Sequence, residues 1–258
     1  MSHIQQAFKK GKALIAFLTA GTPSMEDTVQ YVLEMEKAGA DIVEIGVPFS
    51  DPIADGPVIM EADIQALKNG VHLPQVINIV KKIREYSTIP LIFLTYYNPI
   101  FNYGVESFFK KAKEIGLDGV IIPDLPHEEQ EEIKPFAEQC GVDIIQMIAP
   151  TSEERIRTNV KDATGFVYAV SSMGVTGMRG DIQTNLGDMI RIIKDYTDVP
   201  VAIGFGIHTP EQAAKMAALA EGVITGSGVA DIINRKGKEA TPELRKYISG
   251  LKKAIRPT

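Results

Sequence analysis

A motif that recurs along the chain is the feature that most restricts its fold. In this motif an amphipathic stretch ends at Gly or Pro, and four to six mostly β-branched apolar residues follow. Glycine suits the left-handed turn that ends a helix, and a continuous apolar run is typical of a strand covered on both faces. Together with the apolar run at residues 13–20, the motif predicts eight strands, whose breaks are Gly39, Pro90, Gly116, Gly141, Gly165, Pro200 and Gly222.

Helical periodicity fills the gaps between these strands, at residues 26–37, 73–86, 105–115, 128–139, 153–160, 186–196 and 210–219. Eight strand–helix units with no break in composition favour a closed barrel over an open doubly wound sheet. The sequence therefore predicts an α/β protein, a single (β/α)8 TIM barrel over residues 1–258. Residues 241–255 are also amphipathic and predict an extra helix on its outside.

Composition narrows the classes of partner and compartment. The net charge is −6 and no basic block offsets it, so neither nucleic acid nor an anionic membrane is an expected partner. Cys140 is the one cysteine, which excludes an intrachain disulfide and fits a reducing compartment. The apolar run at residues 13–20 is too short to span a membrane. We therefore expect a cytoplasmic protein.

The segment from residue 43 to residue 57 carries the strongest chemical signal. Glu44 lies inside an apolar strand, and a loop with three prolines then brings Asp51 and Asp55. Burial of an unpaired carboxylate costs several kcal/mol or raises its pKa until it keeps a proton. An acid that keeps its proton, beside one that stays ionised, suits proton transfer near neutral pH. Glu44 is therefore a candidate catalytic acid, whereas Asp51 on its own is better explained as a loop residue.

Two glycine-rich loops predict a phosphate site. Strand seven continues into Gly204-Phe205-Gly206-Ile207, and strand eight continues into Thr225-Gly226-Ser227-Gly228. Glycine lets the backbone approach an anion closely, and these two loops are the usual phosphate site of a TIM barrel. Ser227 could add a hydroxyl donor or could cap the last helix of the barrel.

The loop after strand six, at residues 171–181, contains three glycines and small polar residues. Its length and composition predict a lid that closes over substrate, from which Thr176 could orient a catalytic acid. Arg179 in the same loop is better explained as a solvated residue than as a substrate ligand.

Metal and cofactor chemistry find no support in the sequence. The four histidines are scattered and show no metal-ligand spacing, and there is no P-loop, dinucleotide fingerprint or nucleophile elbow. The residues alone thus predict a barrel enzyme, without a metal, that acts on a small phosphorylated compound by carboxylate acid–base chemistry.

Five segments, in order and at the right spacing, resemble the tryptophan synthase α subunit family: residues 44–57, 95–99, 123–126, 174–177 and 204–207. The resemblance covers nearly the whole chain. It implies cleavage of indole-3-glycerol phosphate to indole and glyceraldehyde 3-phosphate. Met60 and Gln65 depart from the Gln and Arg that this family often has at those positions.

The resemblance also implies roles for individual residues. The position of Glu44 would protonate the indole ring at C3, and the position of Asp55 would accept a hydrogen bond from the indole N–H. The indole pocket would be lined by Phe17, Tyr96 and Tyr168. Thr176 would position the acid, and the substrate phosphate would be held by the loops that contain Gly177, Phe205, Gly206, Gly226 and Ser227.

Such α subunits work in an αββα complex, and the pyridoxal phosphate is in the β subunit. The resemblance therefore implies a β-subunit partner and no cofactor in this chain. Exposed apolar residues around Ile53 and Phe101 could dock that partner.

Two alternatives stay open at this stage. One is a non-catalytic barrel that only activates the β subunit, although the retained Glu44 and Asp55 argue against it. The other is a different phosphate-binding TIM-barrel enzyme, such as a sugar-phosphate epimerase or isomerase. Epimerases usually need metal-binding histidines at strand ends, which this sequence lacks.

Overall fold

A computed structural model of the chain describes residues 2–171, 181–204 and 206–256, with side chains between 181 and 204 described from Leu186 onward. Within these ranges nine strands form one sheet in which every neighbouring pair is parallel. They are β1 (Ala13–Thr19), β2 (Ile42–Gly46), β3 (Leu91–Leu94), β4 (Gly119–Ile121), β5 (Asp143–Ile144), β6 (Gln146–Ile148), β7 (Val167–Val170), β8 (Val201–Gly204) and β9 (Gly222–Thr225).

The sheet closes into a barrel through its fifth segment, which consists of β5 and β6. Its order is β5-β4-β3-β2-β1-β9-β8-β7-β6, and only Ile145 separates β5 from β6 along the chain. The first half of this segment pairs with β4, and the second half pairs with β7. The nine strands are therefore the eight predicted ones with the fifth interrupted, and the predicted TIM barrel is confirmed.

Twelve α-helices in the described ranges surround the sheet. They are α1 (His3–Phe8), α2 (Met25–Ala38), α3 (Pro57–Lys68), α4 (Leu73–Arg84), α5 (Tyr97–Tyr103), α6 (Val105–Ile115), α7 (Lys134–Cys140), α8 (Glu153–Val160), α9 (Asp181–Tyr196), α10 (Pro210–Ala217), α11 (Ser227–Lys236) and α12 (Thr241–Ala254). Short 3₁₀ turns occupy His127–Glu132 and Gly237–Glu239. Not one of the helices described is long and apolar enough to cross a membrane.

Successive side chains of each strand point to opposite faces of the sheet and so form two separate cores. Every second side chain points outward into the large core between sheet and helices, as Leu14 and Val43 do. The other side chains point into the barrel, where Ile42, Phe166 and Ile224 belong to one inner core. Helix α1 contributes Ile4 to this inner core, so it lies at the end of the barrel where the strands begin. The opposite end, where the strands finish, is left free for a site.

Most predicted helices are confirmed because their ends carry clear signals. The Ser24 hydroxyl oxygen accepts the Asp27 N–H at 3.1 Å and caps α2, and Gly39 ends that helix with φ of +112°. The predicted outer helix is α12, which packs on α2 and α10.

The helices differ from the prediction in two respects. Residues 128–139 form a 3₁₀ turn and then α7, because Pro135 has no N–H to continue a longer helix. Helices α1, α3 and α5 were not predicted; α3 and α5 carry Pro57 and Pro99 in their first turns, where the missing N–H costs nothing.

Candidate active site

Glu44 points into the barrel from β2 and lies near the mouth, where the strands end. On β2, Ile42 faces the inner core, and Glu44 lies two residues later on the same side. Its strand neighbours are Phe17 on β1 and Ile92 on β3, so apolar walls flank the carboxyl. Glu44 is 1% exposed, and no group in the described part of the chain hydrogen-bonds its Oε1. Burial raises the pKa of Glu44 to about 8, so the side chain carries a proton at neutral pH.

Asp55 reaches the same space from the loop before α3. The Tyr96 hydroxyl donates a hydrogen bond to Asp55 Oδ2 at 2.8 Å, and the same hydroxyl oxygen accepts the Ala54 N–H at 2.9 Å. Tyr96 thereby fixes both the carboxyl group and the loop that carries it. Burial raises the pKa of Asp55, and the hydrogen bond from Tyr96 opposes that shift. Glu44 has no such donor among the described residues, so nothing there opposes the effect of its burial.

These two acids share one cavity at the strand ends. The open space between its lining atoms is about 610 Å³, including solvent at its mouth. The predicted residues on its wall are Phe17, Glu44, Asp55, Tyr168, Gly206, Gly226 and Ser227. Further wall residues, which the sequence analysis did not single out as substrate contacts, include Leu94, Met147 and His208.

The ring of Tyr168, on the cavity wall, packs closely against the backbone of Gly204. A Cβ on Gly204 would lie 2.3 Å from the Tyr168 hydroxyl oxygen, so only glycine leaves room for this ring. Burial, with the nearby charges of Glu44 and Asp55, raises the pKa of Tyr168 well above its usual value. Tyr168 therefore remains a neutral hydroxyl on an apolar wall.

The other end of the cavity is built from backbone. Gly226 is the N-cap residue of α11, and the first helical bond runs from the Ala230 N–H to the Gly226 carbonyl. The N–H groups of Ser227, Gly228 and Val229 thus have no partner within the helix, and they lie at its positive end. The described wall residues include no Lys or Arg. Among the described residues, the groups available to an anion here are these N–H groups, the helix dipole and the Ser227 hydroxyl.

Comparison with known proteins decides the family. The model of the tryptophan synthase alpha chain family matches residues 4–256. The tryptophan synthase alpha chain of Lacticaseibacillus casei is 46% identical over 255 residues, which cover 99% of this chain and 96% of that protein. The crystal structure of tryptophan synthase subunit alpha from Legionella pneumophila has a TM-score of 0.89 at 34% identity, covering 99% of this chain and 98% of that one. A ligand-free tryptophan synthase from M. tuberculosis gives 0.90 at 31% identity, covering both chains completely.

The chain belongs to the tryptophan synthase α chain family. This membership makes it the α subunit of tryptophan biosynthesis and a carbon–carbon lyase of indole-3-glycerol phosphate.

Some residues predicted for this α-chain site lie elsewhere or outside the described ranges. Tyr96 is not on the cavity wall; it lies behind Asp55 and stacks on Phe49, with ring centroids 5.0 Å apart. Ser227 is the first residue of α11 and not its cap, which is Gly226. Thr176, Gly177 and Phe205 lie outside the described residues, so their roles stay predictions.

The two family departures, Met60 and Gln65, lie on the exposed face of α3. Neither residue is on the cavity wall.

Sequence reasoning missed one acid of this α chain, Asp63. It is 4% exposed on α3, and burial together with the nearby charge of Asp55 raises its pKa to about 8. A second carboxylate next to Asp55 would repel it, so Asp63 keeps its proton at neutral pH and leaves the charge on Asp55. The sequence does contain a signal that could have identified Asp63: it lies between Ala62 and Ala66, the two other buried residues of α3.

Proposed function

We propose that this chain performs its lyase reaction at the cavity just described, with Glu44 as the proton carrier and Asp55 as the partner of the indole N–H. The observation that carries the proposal is the buried Glu44 carboxyl, whose Oε1 has no hydrogen-bond partner among the described residues and which faces a cavity open to solvent. A neutral carboxyl in an apolar wall can give a proton near neutral pH.

The reaction requires one proton to leave the substrate and one to arrive. Glu44 gives its proton to C3 of the indole ring, which places positive charge on the ring. The bond from C3 to the glycerol carbon then breaks, its electrons return to the ring, and the adjacent hydroxyl becomes an aldehyde. The hydroxyl proton returns to the Glu44 carboxylate, so the acid is restored and no external base is needed.

Asp55 suits the charged intermediate. Its carboxylate accepts the indole N–H, and the positive charge that develops on the ring strengthens this hydrogen bond. Tyr96 holds the carboxylate for this contact. The apolar Phe17 and Tyr168 rings offer faces for the planar indole. The phosphate would lie at Gly206, Gly226 and Ser227, where α11 begins.

A coupled assay tests this proposal directly. Glyceraldehyde 3-phosphate from indole-3-glycerol phosphate can be followed through a dehydrogenase, and indole can be quantified in the same samples. We expect the two products in equal amounts. A chain that produces neither, alone or with a β subunit, would be the non-catalytic barrel and would contradict the proposal.

Asp55→Asn tests the second acid. We expect kcat to fall about 10- to 100-fold, because a hydrogen bond to a charged group contributes about 1.5–3 kcal/mol. Tyr96→Phe is the matched variant, since it removes the donor and keeps the carboxylate; its kcat should fall less than tenfold. An Asp55→Asn enzyme with wild-type kcat would show that this carboxylate does not act on the ring.

We also propose that the chain works in the cytoplasm as part of an αββα heterotetramer whose β subunits hold the pyridoxal phosphate. The support is family membership and two exposed apolar residues beside the cavity loops, Ile53 at 83% and Phe101 at 61% exposure. The same two segments of the chain contribute Pro48, Phe49, Pro99 and Tyr103 to a groove. Exposed apolar side chains beside a groove are typical of a protein–protein interface.

Adding the β subunit should raise lyase turnover, because docking favours the closed form of the loops around the cavity. Ile53→Ser should weaken the complex at least tenfold, as measured by titration of the β subunit. Tyr86→Ser is the control: Tyr86 is 65% exposed but follows α4, close to where β3 begins. Equal affinities of the two variants would place the interface elsewhere.

A further inference from the structure

The side chain of Tyr247, on the outer helix α12, reaches the back of the cavity. Its hydroxyl oxygen lies 2.8 Å from Thr225 Oγ1 and 3.5 Å from the carbonyl oxygen of Ile207. Thr225 ends β9, and Ile207 belongs to the loop after β8. Tyr247 therefore contacts the two segments that form the anion end of the cavity.

Two hydroxyl protons serve the contacts among Tyr247, Thr225 and the Ile207 carbonyl. In one arrangement the Thr225 hydroxyl donates to the Ile207 carbonyl at 3.1 Å and Tyr247 donates to Thr225. In the other, Thr225 donates to Tyr247, and Tyr247 donates to the Ile207 carbonyl at 3.5 Å. Thr225 is 1% exposed, and burial raises the pKa of Tyr247, so both hydroxyls keep their protons. In both arrangements the two hydroxyls link α12 and β9 to the β8 loop.

The same hydroxyl also fixes the start of α11. A Cβ on Gly228 would lie 2.1 Å from the Tyr247 hydroxyl oxygen, so the tyrosine occupies the space that a side chain would need. Gly228 is the second residue of α11, whose first N–H groups are free within the helix. Tyr247 thus lies directly behind the N–H groups that face the anion end.

We propose that Tyr247 is a positioning residue for the substrate phosphate, which holds the β8 loop and the first turn of α11 at the spacing that the anion needs. This inference rests on the proposed phosphate site at Gly206, Gly226 and Ser227. Anion binding by backbone N–H groups depends on several donors converging on one point, so a small shift between the two segments weakens all of them together.

Tyr247→Phe tests the inference, because phenylalanine keeps the ring and removes the hydroxyl. Two probes separate positioning from general damage: glycerol 3-phosphate carries the anion without the ring, and indole carries the ring without the anion. The chain contains no tryptophan, so indole fluorescence can be followed directly. We expect glycerol 3-phosphate to bind about three- to tenfold more weakly, with indole affinity unchanged. KM should rise by the same factor while kcat stays within about twofold.

Tyr31→Phe is the matched control. The Tyr31 hydroxyl donates to the Gly237 carbonyl at 2.5 Å and also ties a helix to the C-terminal region. It lies in α2, away from both phosphate segments, so its loss should leave both affinities at wild-type values. If Tyr247→Phe fails to fold, Thr225→Val breaks the same chain of hydrogen bonds and should give the same selective loss.

Two outcomes would overturn the inference, and they differ from failure of the site itself. Tyr247→Phe could bind glycerol 3-phosphate as the wild type does, or it could weaken both probes equally. In either case the tyrosine has no specific role at the phosphate. A wild-type chain that does not bind glycerol 3-phosphate would instead overturn the proposed phosphate site, and the inference with it.

Discussion

Replacing Glu44 with glutamine should lower kcat for cleavage of indole-3-glycerol phosphate by about 10²- to 10⁴-fold, the usual contribution of a well-placed proton donor. Glutamine matches the size of the protonated acid but cannot release a proton. Because the carboxyl is already neutral in the folded protein, the substitution changes no charge in the cavity at neutral pH. The measurement is turnover of indole-3-glycerol phosphate by the coupled assay.

We expect the fall in kcat to come from the chemical step and not from weaker substrate binding. Affinities of the Glu44→Gln variant for indole and glycerol 3-phosphate should stay within about twofold of wild type, since neither probe requires proton transfer. Glu61→Gln makes the same chemical change on the exposed face of α3 and should keep wild-type kcat. A Glu44→Gln enzyme that retained more than about a tenth of wild-type kcat would exclude Glu44 as the proton donor.

The barrel and the location of its chemistry were predictable because both depend on local patterns. Gly39 and Gly116 end helices in the left-handed geometry that the sequence analysis assumed. The inward direction of Glu44 follows from the period of two along β2, with Ile42 as its reference. Gly226 and Ser227 were identified because the strand ends of this architecture meet at one face.

The features of the site that could not be predicted depend on contacts between residues that are far apart in the sequence. Tyr96 was assigned to the cavity wall, but its hydroxyl holds Asp55, a contact between residues 41 positions apart. Asp63 lies in a helix that the sequence analysis did not identify, and its raised pKa comes from burial and from Asp55. Tyr247 meets Thr225 only because α12 returns to the barrel beside the β8 loop. No pattern in the sequence indicates contacts of this kind.

The burial that makes Glu44 an acid should also cost stability, and the cost should depend on pH. Its pKa is about 8 in the folded chain and 4.5 as an ordinary glutamate. Below pH 4.5 both states hold the proton. Between pH 4.5 and pH 8 the unfolded chain releases it while the folded chain retains it, so the free energy of unfolding falls as the pH rises. Glu44→Gln should therefore be more stable than wild type by about 3 kcal/mol at pH 7, at 1.36 kcal/mol per pKa unit.

Urea unfolding followed by circular dichroism at several pH values measures this difference. The stability of Glu44→Gln minus that of wild type should be small near pH 4.5 and should grow toward pH 8. Taking the difference removes most of the contributions of Asp63 and Asp143, whose pKa values burial also raises. Glu61→Gln makes the same chemical change at an exposed position and is the control. If the Glu44→Gln difference did not vary with pH, the Glu44 carboxyl would be ionised in the folded chain at neutral pH. It could then not start the reaction as an acid, because a buried group can give a proton only if folding has kept that proton in place.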